Sequence, residues 1–304
     1  MIAFVFPGQG SQYAGMGKEL AENFSVAREV FEAANDALSF NLAALCHNGP
    51  EEELKLTTNT QPAILTTSIA ALRVIETETG LKPDFAAGHS LGEYSALVCA
   101  GALQFADAVR VVRQRGAFMQ EAVPVGVGAM AAILGLEGEA LEQVCAEAAA
   151  GEIVSPANFN SAGQVVIAGN SGAVERACAL AKSRGAKRAL PLPVSAPFHC
   201  ALMRPAGERL AEVLAGIAIG SLAVPVVCNV TAAPNQDTGK VAQLLVEQVC
   251  APVRWEESVL KMHQLGVERF IEIGPGKVLA GLIRRIAKEA RTQNVEDIDG
   301  LKGL

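Results

Sequence analysis

A serine between two glycines, in Gly88-His89-Ser90-Leu91-Gly92, is the stretch of this sequence best suited to covalent chemistry. It follows the apolar residues 85–87 and precedes a helical pattern, and this order of strand, Gly-x-Ser-x-Gly and helix is the nucleophile elbow. The two glycines let strand and helix approach closely, and the tight turn exposes the Ser90 hydroxyl. The start of the helix directs free backbone N–H groups toward whatever Ser90 attacks. We therefore predict that Ser90 is a nucleophile.

Composition and charge limit the classes of protein to which this sequence can belong. The 304 residues are 50% hydrophobic and 19% charged, which suffices for one large domain or two ordinary ones with a sizeable core. A net charge of −7 argues against general binding to nucleic acid or anionic membranes. Seven scattered cysteines without a Cys-x-x-Cys pair predict a reducing, cytoplasmic compartment, and four histidines without ligand spacing predict no metal site.

The order of predicted elements indicates an α/β protein. Residues 2–6 are expected to form a first strand rather than a signal peptide. Strands and helices alternate up to residue 120 and again from residue 202, which predicts a parallel sheet covered by helices. Between them the pattern is β-α-β-β-α-β, the ferredoxin-like order. We expect a large domain of residues 1–123 and 194–304, with residues 124–193 as a small inserted subdomain.

Two stretches of the second half carry further expectations. An uncharged segment around residues 213–236 is interrupted by glycine, proline and asparagine, so it predicts a loop and a buried strand over residues 224–230 rather than a membrane span. The tail after residue 291 is polar, and we expect it to add little to the fold.

Ser90 needs a base, and the chain has four histidines for that role: His47, His89, His199 and His263. His47 lies in a polar stretch that predicts a turn, and His89 points away from Ser90 on its strand. A hydrolase-like triad in the order Ser90, Asp237, His263 is one candidate arrangement. Helical spacing places His263 on an edge beside the apolar face of its helix, which favours a surface position instead.

Arg115 is the most informative charged residue. On the helix predicted for residues 106–120 it falls on the apolar face, whereas Arg110 and Arg113 face the other way. An arginine on that face needs a partner, because an unpaired buried charge is costly. The partner is either a structural glutamate or the carboxylate of a bound substrate, which a guanidinium can bind with two parallel hydrogen bonds.

Six motifs spread along the chain resemble those of bacterial malonyl-CoA:acyl carrier protein transacylases and of the acyltransferase domains of fatty-acid and polyketide synthases. They are Phe6-Pro7-Gly8-Gln9-Gly10-Ser11-Gln12, Gly88-His89-Ser90-Leu91-Gly92-Glu93-Tyr94-Ser95-Ala96, Arg115-Gly116, Pro156-Ala157-Asn158-Phe159-Asn160-Ser161, Val194-Ser195-Ala196-Pro197-Phe198-His199 and Gly274-Pro275-Gly276-Lys277. The resemblance implies an α/β-hydrolase-like domain with an inserted ferredoxin-like subdomain.

The same resemblance implies an activity. The expected reaction transfers a malonyl group from malonyl-CoA to the phosphopantetheine thiol of acyl carrier protein through a malonyl-Ser90 ester, in support of fatty-acid synthesis and without a metal or redox cofactor. A serine hydrolase or thioesterase with the same elbow, a trans-acting acyltransferase of a polyketide pathway and a non-catalytic carrier-binding module are the alternatives.

The resemblance also assigns catalytic roles. It implies that His199 is the base and that the backbone carbonyl of Gln248, rather than an aspartate, orients it. The backbone N–H groups of Gln9 and Leu91 are expected to form the oxyanion hole.

The substrate pocket is assigned in the same way. Arg115 is expected to bind the malonyl carboxylate, and Phe198 to limit the room at the α-carbon. Gln61 and Asn160 match positions near the pocket, although Gln61 could instead cap its helix and Asn160 could be a turn residue.

Overall fold

The computed structural model describes residues 1–194 and 196–304; Ser195, in the motif of residues 194–199, lies outside the described residues. The strands are β1 Ile2–Phe6, β2 Phe85–Gly88, β3 Gly128–Leu134, β4 Val154–Ser161, β5 Gln164–Asn170, β6 Arg188–Pro191, β7 Val226–Val227, β8 Pro234–Asn235, β9 Arg269–Ile273 and β10 Arg291–Val295. The helices are α1 Lys18–Asn23, α2 Ser25–Leu38, α3 Leu42–Asn48, α4 Glu51–Leu54, α5 Thr57–Thr79, α6 Gly92–Cys99, α7 Phe105–Ala122, α8 Gly138–Ala149, α9 Ser171–Ser183, α10 Arg204–Ala215, α11 Thr238–Cys250, α12 Trp255–Gln264, α13 Val278–Ile286 and α14 Ile298–Lys302.

The first sheet has the strand order β10-β9-β1-β2-β7-β8, and its strands run parallel except at the β7–β8 pair. The apolar strand β1 lies in the middle, between β9 and β2, because its side chains are buried on both faces. Phe6 pairs with Gly88, so β1 and β2 end side by side. The loops that follow them, which carry Gln9 and Ser90, therefore meet at one edge of the sheet.

The second sheet is antiparallel and has the order β4-β5-β3-β6. Its strands alternate with α8 and α9 in the order β3-α8-β4-β5-α9-β6, as the sequence pattern predicted, and β3 spans the predicted residues. These elements bury an apolar cluster of their own. The chain thus has a mixed α/β fold with one parallel and one antiparallel sheet. In the described ranges, no helix has both the length and the apolar character that crossing a membrane requires.

Three expectations about local structure were wrong. The polar tail forms the edge strand β10, which pairs in register with β9 through main-chain hydrogen bonds, and then α14. The strand expected over residues 224–230 is only β7, because beyond it the main chain and side chain of Asn229 bond to other groups. His47 lies in the last turn of α3 rather than in a turn segment, with its ring against Phe31.

Close backbone contacts at the elbow confirm the reason for its two glycines. A Cβ placed on Gly88 would lie 1.9 Å from the backbone carbon of Gly92, and one on Gly92 would lie 2.0 Å from the carbonyl oxygen of Phe6. Both obstacles are main-chain atoms of packed elements, which cannot rotate away as a flexible side chain could. Side chains at these positions would therefore separate α6 from the sheet.

We expect Gly88→Ala to lower the free energy of unfolding by more than about 3 kcal/mol, because it overpacks backbone against backbone. Gly281→Ala is the matched control, since Gly281 lies within α13 and a Cβ there meets nothing within 4 Å. That change should raise stability by about 0.5–1 kcal/mol, because alanine favours the helix. Urea denaturation of both variants measures this, and a wild-type midpoint for Gly88→Ala would contradict the packing argument.

Candidate active site

The turn after β2 holds Ser90 in a strained conformation. Its φ of 51° lies in the left-handed region, which is unfavourable for a residue with a side chain. Hydrogen bonds from outside the turn offset this cost: the Ser90 N–H donates to Asn229 Oδ1 at 2.6 Å, and Gln248 Nε2 donates to the Ser90 carbonyl at 2.9 Å. The Ser90 hydroxyl is thereby presented to the cleft at a fixed position.

His199 lies between Ser90 and Gln248. The Ser90 Oγ is 2.7 Å from His199 Nε2, and His199 Nδ1 is 2.8 Å from the backbone carbonyl oxygen of Gln248. Because a carbonyl oxygen only accepts hydrogen bonds, the proton of a neutral ring resides on Nδ1, and Nε2 accepts the hydroxyl proton. The geometry therefore suits removal of a proton from Ser90.

The electrostatic environment keeps this imidazole neutral. Burial, and after it the positive charge of Arg115, lower the pKa of His199 to about 3, whereas the hydrogen bond to the Gln248 carbonyl acts in the opposite direction. His199 is 3% exposed, so its charged form has little access to water. The ring is thus unprotonated at Nε2, which leaves that nitrogen free as an acceptor.

Helix α7 carries Arg115 into the same cleft. The neighbouring Gly116 lets α5 pack closely, since a Cβ there would lie 2.6 Å from the Thr57 carbonyl oxygen. This contact brings Gln61 of α5 to Arg115, whose Nη1 donates to Gln61 Oε1 at 2.9 Å. Arg115 Nη2 donates to Gln248 Oε1 at 2.9 Å and to Ser90 Oγ at 3.1 Å.

The partners of Arg115 are neutral, which disfavours a structural glutamate as its partner. Arg115 is only 1% exposed, and no carboxylate among residues 1–194 and 196–304 forms an ion pair with it. Its Nε has no hydrogen-bond acceptor in the described part of the chain, and the ring of Tyr94 lies 5.5 Å from the guanidinium carbon. A buried guanidinium with neutral partners can still bind an anion.

Two residues that line the same cleft have backbone N–H groups that donate no hydrogen bond to any described part of the chain. Gln9 follows β1 and Leu91 follows Ser90, and both line the cleft. Among the hydrogen bonds of the described residues, neither N–H donates to another protein group. Donors in this arrangement can stabilise a negative oxygen that develops at a carbonyl attacked by Ser90.

The remaining pocket residues lie in or beside this cleft. Phe198 lines it, and Gln61 faces it from within α5 rather than capping that helix. Asn160 lies in β4, not in a turn, and its Oδ1 is 2.8 Å from His89 Nε2. Asn160 lines an adjoining cleft that shares Gln9 and His89 with the first.

The alternative triad is not assembled. Asp237 caps α11 by accepting a hydrogen bond from the Gly239 N–H, and His263 Nδ1 bonds to the carbonyl of Val267. Within the described residues, neither forms a hydrogen bond with Ser90 or His199. His89, which was predicted to point away from Ser90, lines the same cleft as Ser90, and its Nε2 bonds to Asn160.

Two polar residues of the site were not predicted from the sequence. Asn229 accepts a hydrogen bond from the Ser90 N–H in the elbow. Glu93 accepts hydrogen bonds from the Asn229 N–H and from the Gln248 side chain. A single asparagine or glutamate has no distinctive spacing, although Glu93 follows the elbow directly. No group of three or more metal-ligating side chains occurs in the part of the chain that the structure describes.

The family model described as "Acyl transferase domain" matches residues 3–301. The chain belongs to the acyl transferase domain family. This confirms the resemblance that the motifs indicated.

The curated relatives of this acyl transferase match it over nearly its whole length. A protein of Escherichia coli K12 named malonyl CoA-acyl carrier protein transacylase is 56% identical over 94% of this chain and 92% of its own. A protein of the same name from Bacillus subtilis is 54% identical over 97% of this chain and 93% of its own.

Solved structures agree with the fold of this acyl transferase. An acyl carrier protein S-malonyltransferase from Vibrio cholerae has a TM-score of 0.97 at 52% identity and covers 99% of both chains. A malonyl-transacylase solved in complex with its type II PKS acyl-carrier protein also has a TM-score of 0.97 at 52% identity, over 99% of this chain and 97% of that chain.

In this acyl transferase, the ring of His199 is expected to stay neutral between about pH 5 and pH 8. Burial and Arg115 hold its pKa low, so the neutral form persists as the pH falls. NMR of histidine-labelled protein measures this, with His199→Gln to assign the resonance. Arg115→Ala should move the titration upward, because it removes a positive charge. A His199 titration near the ordinary pKa of 6.5 in the wild type would contradict the electrostatic analysis.

Proposed function

We propose that this chain is a malonyl-CoA:acyl carrier protein transacylase, which transfers malonyl groups to the phosphopantetheine thiol of acyl carrier protein for fatty-acid synthesis. Relatives that carry this name at 54 to 56% identity support the proposal. The observation that carries it is the buried Arg115 guanidinium, which lies 3.1 Å from Ser90 Oγ and has neutral partners. A carboxylated acyl group on Ser90 would supply the missing negative charge.

Acylation begins at Ser90. Its Oγ attacks the thioester carbonyl carbon of malonyl-CoA while its proton passes to Nε2 of His199. The N–H groups of Gln9 and Leu91 stabilise the oxyanion of the tetrahedral intermediate. When the carbon–sulfur bond breaks, the proton on His199 passes to the coenzyme A sulfur, and the malonyl ester of Ser90 remains.

Transfer to the carrier reverses these steps with a new thiol. The phosphopantetheine sulfur attacks the ester carbonyl carbon as its proton passes to His199, and Ser90 Oγ leaves and takes that proton. The Gln248 carbonyl holds the ring in the required tautomer throughout. Coenzyme A thus enters as part of the substrate, and no further cofactor takes part in these steps.

Arg115 and its surroundings select the acyl group. The guanidinium binds the free malonyl carboxylate with two donors, beside the amide of Gln61. Phe198 limits the room at the α-carbon of the acyl group, and Asn160 takes part in substrate binding from the adjoining cleft. A bound carboxylate also anchors the ester at its far end.

We assign residues 1–123 and 194–304 to an α/β-hydrolase-like catalytic domain and residues 124–193 to a ferredoxin-like subdomain. The strand order β4-β5-β3-β6 and the separate apolar cluster of that segment support this division. We also place the enzyme in the cytoplasm, the compartment that its scattered free cysteines favour.

Intact-protein mass spectrometry after mixing with malonyl-CoA tests the proposal. The wild type should gain one malonyl group, whereas Ser90→Ala should gain none. Addition of holo acyl carrier protein should then remove the group from the enzyme and load the carrier. If the adduct disappears equally fast in buffer without carrier, the chain is a hydrolase rather than a transferase.

Arg115→Ala should reduce acylation by malonyl-CoA by about 10- to 100-fold, the range expected for lost charge-assisted hydrogen bonds. Acylation by acetyl-CoA should be unchanged or faster, because acetyl offers no carboxylate to bind. Arg110→Ala on the same helix is the control, since Arg110 is exposed and pairs with Asp107. Equal losses for both acyl groups in Arg115→Ala would contradict the role of the guanidinium.

A further inference from the structure

A buried carboxylate lies behind the candidate site and takes no part in the steps above. Glu93, in the first turn of α6, is 2% exposed. Its Oε2 accepts hydrogen bonds from the backbone N–H of Asn229 at 3.0 Å and from Gln248 Nε2 at 2.8 Å. Burial raises the pKa of Glu93 to about 7, although these hydrogen bonds and the charge of Arg115 oppose the rise. A carboxylate kept in so costly a place requires a reason beyond packing.

The contact with Gln248 determines how that amide is oriented. Its Nε2 donates to Glu93 and to the Ser90 carbonyl, so its Oε1 points the other way and accepts from Arg115. A flipped amide would place its NH₂ group against the guanidinium, which has only donors to offer. The acceptors on Glu93 and Ser90 therefore hold Gln248 in the orientation that Arg115 needs.

The contact with Asn229 extends the same control to the nucleophile. Glu93 accepts from the Asn229 main chain, while the Asn229 side chain bonds to both sides of the elbow. Its Oδ1 accepts from the Ser90 N–H, and its Nδ2 donates to the Gly88 carbonyl at 2.6 Å. Glu93 thus fixes both Asn229 and Gln248. Asn229 contacts Ser90, and Gln248 contacts Ser90 and Arg115. Gln248 also orients His199 through its backbone carbonyl.

The separation of charges is also informative. In the described structure Glu93 and Arg115 form no direct ion pair, because the side chain of Gln248 lies between them as a neutral spacer. A direct pair would occupy the guanidinium donors that an incoming carboxylate needs. Because the amide separates the two side chains, those donors stay accessible.

We propose that Glu93 is a positioning residue for acyl-group selection, which holds Gln248 so that Arg115 is aimed at the substrate carboxylate beside Ser90. This inference rests on the proposed malonyl transfer. The role depends on the reach and acceptor geometry of the side chain, because its Oε2 must meet both donors at once.

Two conservative variants separate reach from charge. Glu93→Gln keeps the length of the side chain and one acceptor oxygen. Glu93→Asp keeps the charge but shortens the side chain by one methylene group. The measurement is the ratio of Ser90 acylation rates with malonyl-CoA and acetyl-CoA, followed by intact-protein mass spectrometry. Glu93→Gln should keep the wild-type ratio within about threefold, and Glu93→Asp should lower it about tenfold or more, as expected for a lost hydrogen bond to a charged group.

Glu272 provides the matched control. It is also fully buried, burial also raises its pKa to about 7, and it also accepts two hydrogen bonds, from the N–H groups of Leu279 and Ala280. Glu272→Asp should reduce stability without changing the acylation ratio. A ratio is used because a general loss of folded enzyme reduces both rates equally.

Gln248→Met keeps the test decisive if Glu93→Asp does not fold. It removes the amide but retains the backbone carbonyl that orients His199, so it should also lower the ratio about tenfold. An unchanged ratio in Glu93→Asp or Gln248→Met would overturn the inference, and so would a loss in Glu93→Gln equal to that in Glu93→Asp. Failure of the wild type to form a malonyl adduct would instead contradict the proposed function.

Discussion

A positive charge buried without a carboxylate partner is the constraint on which the candidate site depends. Removing a guanidinium from water costs several kcal/mol unless other groups solvate it, and Arg115 is almost fully buried. The amide oxygens of Gln61 and Gln248 provide that solvation, and the close packing of α5 on α7 at Gly116 brings Gln61 within reach. Since neither amide carries a charge, the positive charge of the guanidinium stays uncompensated, and an anionic ligand would compensate it. In the proposed function, this uncompensated charge selects a carboxylated acyl group.

The same charge explains why a backbone carbonyl suits His199 better than an aspartate would. A carboxylate at Nδ1 would be buried close to Arg115 and would compete with the substrate for the guanidinium. The carbonyl of Gln248 fixes the ring tautomer without adding a charge. A neutral group stabilises the imidazolium less than an aspartate does. A thioester tolerates this loss, because it is already an activated acyl donor.

Sequence patterns were sufficient where a feature depends on neighbouring residues. The close contact at Gly88 and Gly92, the bounds of β3 and the burial of Arg115 on one helix face all follow from local spacing. The hydrogen-bond partners of Ser90 and Arg115 cannot be predicted from local spacing. Asn229 is 139 positions from Ser90 in the sequence, and Gln248 is 133 positions from Arg115. Periodicity carries no information about such pairs. Strand β10 was missed for a related reason: its pairing uses the main chain, and the polar side chains of an edge strand leave no apolar alternation to detect.

Arg115 also connects the acyl group to the strength of the base. In the free protein its charge is the second cause, after burial, of the low pKa of His199. A carboxylate bound to the guanidinium would cancel most of that charge at the ring, because opposite charges a few ångströms apart largely offset each other at a nearby site. In the proposed reaction the pKa of His199 would then rise, so the ring would accept a proton from the carrier thiol more readily in the malonyl ester than in an acetyl ester. Selection would therefore operate twice through one guanidinium, first when the acyl group binds and again when it leaves.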